Sequence, residues 1–252
     1  MIFIWVVGVE GSGHHMIFNA LFHKFKTKKN FLFESNGKGP LVDLHNSFSK
    51  LFESESSSNE KLEAKNNIHR LLSKYRDISS KEKLILFDRN SHPYSNPRDT
   101  LRRWDIIDFV NIVKEYSTPR LLILLRNPIN ATYSCIRRKM TDNVYLQSKI
   151  IEDNFICINN QIQTIDDKSI YRILDYDHFF HDPNFFIKCL SDWLKIKEDD
   201  LDGINLLRKP RTENDIPTAI REPLKNFFTD QRTSQWSWLY KCDNNFSNFI
   251  EG

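Results

Sequence analysis

Glycines, a serine and two histidines crowd into one short stretch, Gly8-Val9-Glu10-Gly11-Ser12-Gly13-His14-His15. The apolar run Ile2-Phe3-Ile4-Trp5-Val6-Val7 precedes it, and Met16-Ile17-Phe18-Asn19-Ala20-Leu21-Phe22 follows with a helical pattern. Strand, glycine-rich loop and helix form a layout that cradles phosphate. The glycines let backbone N–H groups turn toward an anion, and the helix N-terminus adds positive dipole character. The nucleotide-hydrolysing pattern G-x-x-x-x-G-K-[ST] requires Lys after its last Gly, and His14 stands there. The phosphate reading survives while the ordinary ATPase reading weakens. Two neighbouring histidines also raise a metal reading. Adjacent His side chains do not share a helix face, however, and no third ligand has suitable spacing, so no metal is expected.

A second group lies more than a hundred residues on. Arg126 ends the apolar run Leu121–Leu125, Pro128 suits the first turn of a helix, and Ser134 and Arg138 follow on that helix. Residues four apart share a helix face. Arg126 can reach over the start of the same helix, so two guanidinium groups and a hydroxyl converge. That set suits a phosphate with several acceptor oxygens.

The elements that must position these groups follow from periodicity. Short apolar runs at 2–7, 31–33, 84–87, 121–125 and 169–174 read as strands. Helical patterns separate them, at about 13–26, 106–116, 128–138 and 144–165, with a further helix at 184–195. Strands alternating with helices predict an α/β fold: three α/β/α layers around a central, mostly parallel sheet. Ligands of such sheets bind beyond the C-terminal strand ends. The 8–15 loop, Glu34, the polar segment 88–94 and the 126–138 unit all fall there. Residues 41–80 are less orderly. An amphipathic helix is expected over 61–75, the polar run 53–59 reads as a mobile loop, and the whole reads as a variable insertion or substrate-facing lobe. The last ~50 residues read as irregular, anchored by burial of Trp236, Trp238 and Tyr240.

Together these pieces resemble the sulfotransferases that use 3′-phosphoadenylyl sulfate (PAPS). The resemblance covers roughly 1–35 and 84–200. It implies a P-loop-like sulfotransferase fold in which Gly8, Gly11, Ser12, Gly13, His14 and His15 hold the 5′-phosphosulfate. Arg126, Ser134 and Arg138 would hold the 3′-phosphate. The segment Leu174-Asp175-Tyr176-Asp177-His178-Phe179 is similar to the family's Tyr-Glu-Asp-Leu segment, which implies that Tyr176 approaches the adenine. Arg208-Lys209-Pro210-Arg211 loosely echoes the C-terminal Arg-Lys-Gly clamp, making Lys209 and Arg211 candidates for the 3′-phosphate.

Many members carry Lys or Arg just before Ser-Gly in the first loop, and this chain has Gly11. His14, His15 or Arg89 is then the candidate for stabilising the leaving phosphate. Asn90-Ser91-His92-Pro93 echoes the family's Lys-Thr/Ser-His-x-Pro setting, so His92 is the first candidate for the base. Histidine suits that task because its ordinary pKa, about 6.5, is close to working pH. Glu34 is the second, because glycan-modifying branches use a Glu after the second strand. Sulfuryl transfer to an alcohol needs a base and cations for the departing phosphate, and no metal.

With 252 residues, of which 40% are hydrophobic, the chain suits one domain over 1–252, with the insertion at about 41–80. The net charge of +3 is too small to argue for nucleic acid. Residues 81–139 nevertheless hold twelve Lys/Arg against six Asp/Glu, a local basic excess that fits an anionic ligand. Four scattered cysteines without a C-x-x-C pair read as reduced thiols of a cytoplasmic protein. The apolar start is too short to span a membrane and lacks the features of a signal peptide. The expected activity is sulfuryl transfer from PAPS, releasing PAP, to a hydroxyl on a carbohydrate or small metabolite. The rivals are a P-loop small-molecule kinase, which should carry the loop Lys, and a non-catalytic nucleotide- or glycan-binding module.

Overall fold

The computed structural model describes residues 1–13, 17, 18, 21, 22, 25, 28–34, 37–81, 83–91, 105–179, 183–194 and 212–242. Five strands are β1 (Ile2–Gly8), β2 (Phe31–Phe33), β3 (Ile85–Ser91), β4 (Thr118–Leu125) and β5 (Tyr171–Asp175). They form one parallel sheet in the order β2-β3-β1-β4-β5. The three-layer α/β/α reading is correct.

β1 sits in the middle because it is apolar on both faces. Phe3, Trp5 and Val7 pack to one side with Leu44, Phe48, Ile68, Phe109 and Phe155. Ile4 and Val6 pack to the other with Ile17, Phe18, Leu21, Phe87, Leu190 and Trp193. Successive strand residues point to opposite faces, so the run Ile2–Val7 serves two cores at once. The chain leaves β1 toward β2 over the second face. It moves back through β3 to β4 and β5 over the first. The order therefore reverses at β1, and the ligand crevice of such a sheet opens at the C-terminal end of that strand.

Three expectations shift. β3 does not end at Phe87. Its pairing with β1 continues from Asp88↔Trp5 to Ser91↔Gly8, so Asp88 and Arg89 are strand residues rather than loop residues. β4 begins at Thr118 despite Pro119. Thr118 N donates to Met1 O at 3.2 Å, so the nitrogen of Pro119 faces the β5 side, where pairing starts only at Leu121. Residues 168–170 form a 3-10 turn before β5, not its first part.

Residues 41–80 form two packed helices, Val42–Leu51 and Ser58–Ser79. The expected loop over 53–59 contains the second helix's start. Ser57 accepts from Glu60 N, and the Glu60 carboxylate takes Ser57 N in return, a capping box. Leu41, Leu44, Phe48, Ile68, Leu71, Leu72 and Tyr75 join the same core as β1 and β4. The described part of the tail, 212–242, holds the helices Thr218–Phe227, Asp230–Thr233 and Trp238–Lys241. Pro223 lies within the first of them and hides its pattern. Trp236 is fully buried and stacks on Phe155 at 5.4 Å. Trp238 and Tyr240 are only part-buried. No helix among the described residues is long and apolar enough to cross a membrane.

Phe109 joins three parts of the larger core, with ring centroids 5.2 Å from Phe3, 4.5 Å from Trp5 and 5.1 Å from Phe48. Phe109→Ala is expected to destabilise the fold by ~3–5 kcal/mol. A lowered urea midpoint with an unchanged slope is the result that checks it.

Candidate functional site

The loop after β1 is closed by its glycines. Gly11 adopts φ +88° and Gly13 φ +90°, a region that side-chain-bearing residues rarely adopt. Each also permits a close approach. A Cβ at Gly11 would stand 2.6 Å from Ala131 O, and one at Gly13 would enter the ring of Tyr176. Ser12 N donates to Val9 O at 3.0 Å, and Ser12 is fully buried, its hydroxyl without a hydrogen-bond partner among the described residues. Gly8 ends β1, in register with Ser91 on one side and Leu124 on the other.

Arg126 fastens this loop. It follows β4 directly, just ahead of the helix Pro128–Arg137, whose N-cap Asn127 accepts from Ile129 N and Asn130 N. The Arg126 side chain is buried. Its Nη1 donates to Gly11 O at 2.8 Å, and its guanidinium lies 5.0 Å from the centroid of Tyr176. Nε stands 3.7 Å from Asp177 Oδ1, too far for a hydrogen bond, and has no hydrogen-bond partner among the described residues. Burial pushes the Asp177 carboxyl up, against the pull of the Asn127 N–H and Arg126. Burial also raises the Tyr176 phenol, opposed by Arg126. Tyr240 Oη donates to Arg126 O at 3.0 Å, so the tail is tied to the same point.

Arg138 reaches the loop elsewhere. Its Nη2 donates to Glu10 Oε1 at 2.6 Å, and its Nε donates to Ser134 O at 3.2 Å. The two guanidinium groups therefore meet the loop at separate points, Gly11 O and the Glu10 carboxylate, rather than forming one fork. The part-buried Ser134 hydroxyl makes no hydrogen bond to a described residue. Arg89, on β3, also feels the charge of Glu10. Its guanidinium stacks 4.6 Å from the centroid of Phe18, and burial lowers its pKa while Glu10 opposes the shift. Glu10, buried itself, is a residue the sequence reading passed over. An acidic side chain inside a glycine-rich loop was the available signal. Cys135 Sγ donates to Glu10 O at 3.6 Å, and burial pushes its thiol up to about 12.

A separate cluster forms beside β3. His45 Nδ1, on the 42–51 helix, stands 3.0 Å from both carboxylate oxygens of Asp88. Glu34, just past β2, accepts from Gly37 N at 2.6 Å, and burial raises its carboxyl, with Asp88 adding to the rise. These three are the residues among those described that bring possible metal-ligand atoms together. His45 was not expected, because nothing local in 41–80 announces which helix face meets β3. His14, His15, His92, Lys209 and Arg211 lie outside the described residues.

No protein-family model matches the chain, and no curated protein matches it. Solved structures do. A sulfotransferase from Alicyclobacillus acidocaldarius superposes with a TM-score of 0.54 at 13% identity, covering 95% of this chain and 96% of that one. The sulfotransferase domain of the Synechococcus PCC 7002 olefin synthase gives 0.52 at 14%, covering 96% and 95%. The sulfotransferase domain from the curacin biosynthetic pathway gives 0.51 at 12%, covering 95% and 97%. The chain has a sulfotransferase-type fold.

Within this sulfotransferase-type fold, the Gly8–Gly13 loop, Arg126, Ser134, Arg138 and Tyr176 gather at the β1–β4 side of the C-terminal edge. Glu34 stands on the β2–β3 side. Gly11→Ala would place a side chain in a strained backbone region, at about 1–2 kcal/mol from strain alone, and against Ala131 O. We expect a clearly lowered melting temperature, read by thermal denaturation. A Gly11→Ala protein as stable as the parent would show that the loop does not hold this conformation.

Proposed function

We propose that the protein is a sulfotransferase that moves the sulfuryl group of PAPS to an acceptor hydroxyl and releases PAP. The acceptor is a carbohydrate or another small hydroxylated metabolite. The observation that carries the reading is the joint between the two phosphate-binding halves. Arg126 holds the Gly11 carbonyl, and two buried donors beside it, Ser12 Oγ and Arg126 Nε, lack hydrogen-bond partners among the described residues. Buried donors left in this state cost free energy, and an anion with several oxygens satisfies them. The sulfotransferase-type fold and the near-complete coverage of known sulfotransferase domains support the reading of 1–252 as one such domain.

In this scheme the loop amides and Ser12 take the 5′-phosphosulfate. Arg126 and Ser134 take the 3′-phosphate, with Arg138, Lys209 and Arg211 adding charge. The Tyr176 ring, already packed on Gly13 and Arg126, offers a face for the adenine. A base, His92 or Glu34, accepts the acceptor's hydroxyl proton as its oxygen bonds to sulfur. The sulfur–oxygen bond to the nucleotide breaks, and the electron pair leaves on the phosphate, stabilised by His14, His15 or Arg89. Glu10 favours a second reading, a module that binds the nucleotide without turnover. Its carboxylate occupies Arg138 where a loop cation would otherwise serve the leaving group.

A thermal-shift and calorimetric panel of 3′,5′-ADP, ADP, ATP and AMP, without Mg²⁺, tests the nucleotide assignment. We expect preference for 3′,5′-ADP, and Arg126→Ala should weaken it ~10–100-fold, as loss of charge-assisted hydrogen bonds of ~1.5–3 kcal/mol implies. Equal binding of all four nucleotides, or ATP preferred with Mg²⁺, would overturn the reading. Tight 3′,5′-ADP binding with no turnover on any hydroxyl acceptor would favour the binding module.

A further inference from the structure

Glu34, His45 and Asp88 come from three separate elements, yet one ligand-type atom of each lies within 4.8 Å of the others. Asp88 is 1% exposed and Glu34 5%. Among the described residues neither carboxylate meets a Lys or Arg. Asp88 faces His45 and accepts from Arg89 N, and Glu34 accepts a single hydrogen bond, from Gly37 N. Two buried carboxylates thus share one imidazole. A hydrogen-bonded Asp–His pair accounts for Asp88 and His45 but leaves Glu34 as a second buried acid against the same pair. Buried charge without a counter-charge is strongly unfavourable. Among the described residues, that leaves two ways to relieve the charge: Glu34 keeps a proton or a cation enters.

We infer that these three residues form a binding site for a divalent cation of the Zn²⁺ or Mn²⁺ class. The donor set is one imidazole nitrogen and two carboxylates, the mixed N/O set that such cations take; Mg²⁺ and Ca²⁺ prefer all-oxygen shells. Donor atoms around one such ion stand about 3.0–3.4 Å apart when each bond is ~2.1 Å, and His45 Nδ1 already lies 3.0 Å from Asp88. The cation replaces the proton held between imidazole and carboxylate, which passes to water. His45 is one-fifth exposed at its side chain, so the site has a route to solvent. Three protein ligands leave coordination positions open to water. Bound there, the cation would pin the turn after β2 and the 42–51 helix to β3. It would stand a few residues along β3 from Ser91, the register partner of Gly8.

The site rests on its own residues, not on the sulfotransferase reading, and its test needs no nucleotide. Untagged protein stripped with EDTA is titrated calorimetrically with ZnCl₂, MnCl₂ and MgCl₂, and melted with each. We expect one Zn²⁺ or Mn²⁺ per chain with micromolar or tighter affinity and a raised melting temperature, and little response to Mg²⁺. Asp88→Asn and Glu34→Gln keep the side-chain shapes, and each should weaken binding at least ~10-fold. Their metal-free melting curves show whether they are folded, and His45→Gln serves as the third variant if either is not. Absent binding, binding unchanged in the folded variants, or Mg²⁺ binding as tightly as Zn²⁺ would each overturn the site. The trio would then be a hydrogen-bonded group with a protonated Glu34.

Discussion

The guanidinium of Arg126 ties together groups that emerge at the ends of three neighbouring strands, β1, β4 and β5. It follows the strand β4, reaches the carbonyl of the loop after β1, lies over Tyr176 at the end of β5, and faces Asp177. Its own carbonyl receives Tyr240 from the tail. A charge this buried is stable only where oriented dipoles and opposite charge surround it. The loop's path, the position of Tyr176 and the docking of the tail are therefore one linked requirement. The positive φ of Gly11 and Gly13 belongs to that requirement too, since it lets the loop lie against Ala131 and Tyr176.

A strand's alternation explains why the site has two distinct halves. Arg89 and Asp88 are neighbours in β3, yet they face opposite layers. Arg89 turns to Phe18 and is influenced by Glu10. Asp88 turns to His45 on the helix that follows β2. Basic groups thus collect around the loop while carboxylates collect below the β2–β3 edge.

Much of the fold was legible because burial on both faces leaves a strong trace. β1 and β4 are continuous apolar runs, and the Arg126-Asn-Pro unit carries its own helix start. The 106–114 helix is similarly marked by Asp105, which caps Ile107 N and Asp108 N. Elsewhere local signals competed. The serine-rich run at 53–59 reads as a loop by polarity alone, yet the Ser57–Glu60 capping pair starts a helix within it. The tail looked irregular because Pro223 and short helices disguise a segment whose Trp236 and Leu239 are fully buried. β3 outran its apolar residues because hydrogen bonding to β1, not side-chain hydrophobicity, sets its length.

The sequence by itself determined the layer architecture and marked the first glycine-rich loop, Arg126, Ser134 and Tyr176 as candidates. The architecture follows from periodicity and the loop from backbone preferences within a few residues, while Ser134 and Tyr176 stand out through the family resemblance. Only the tertiary structure decided which charges meet. Glu10 with Arg138 spans 128 positions, and Asp88 with His45 spans 43. Such pairings depend on strand order and on which face of a helix is turned inward. Neither leaves a local mark in the chain, which is why Glu10 and His45 emerged only when the sheet brought their elements together.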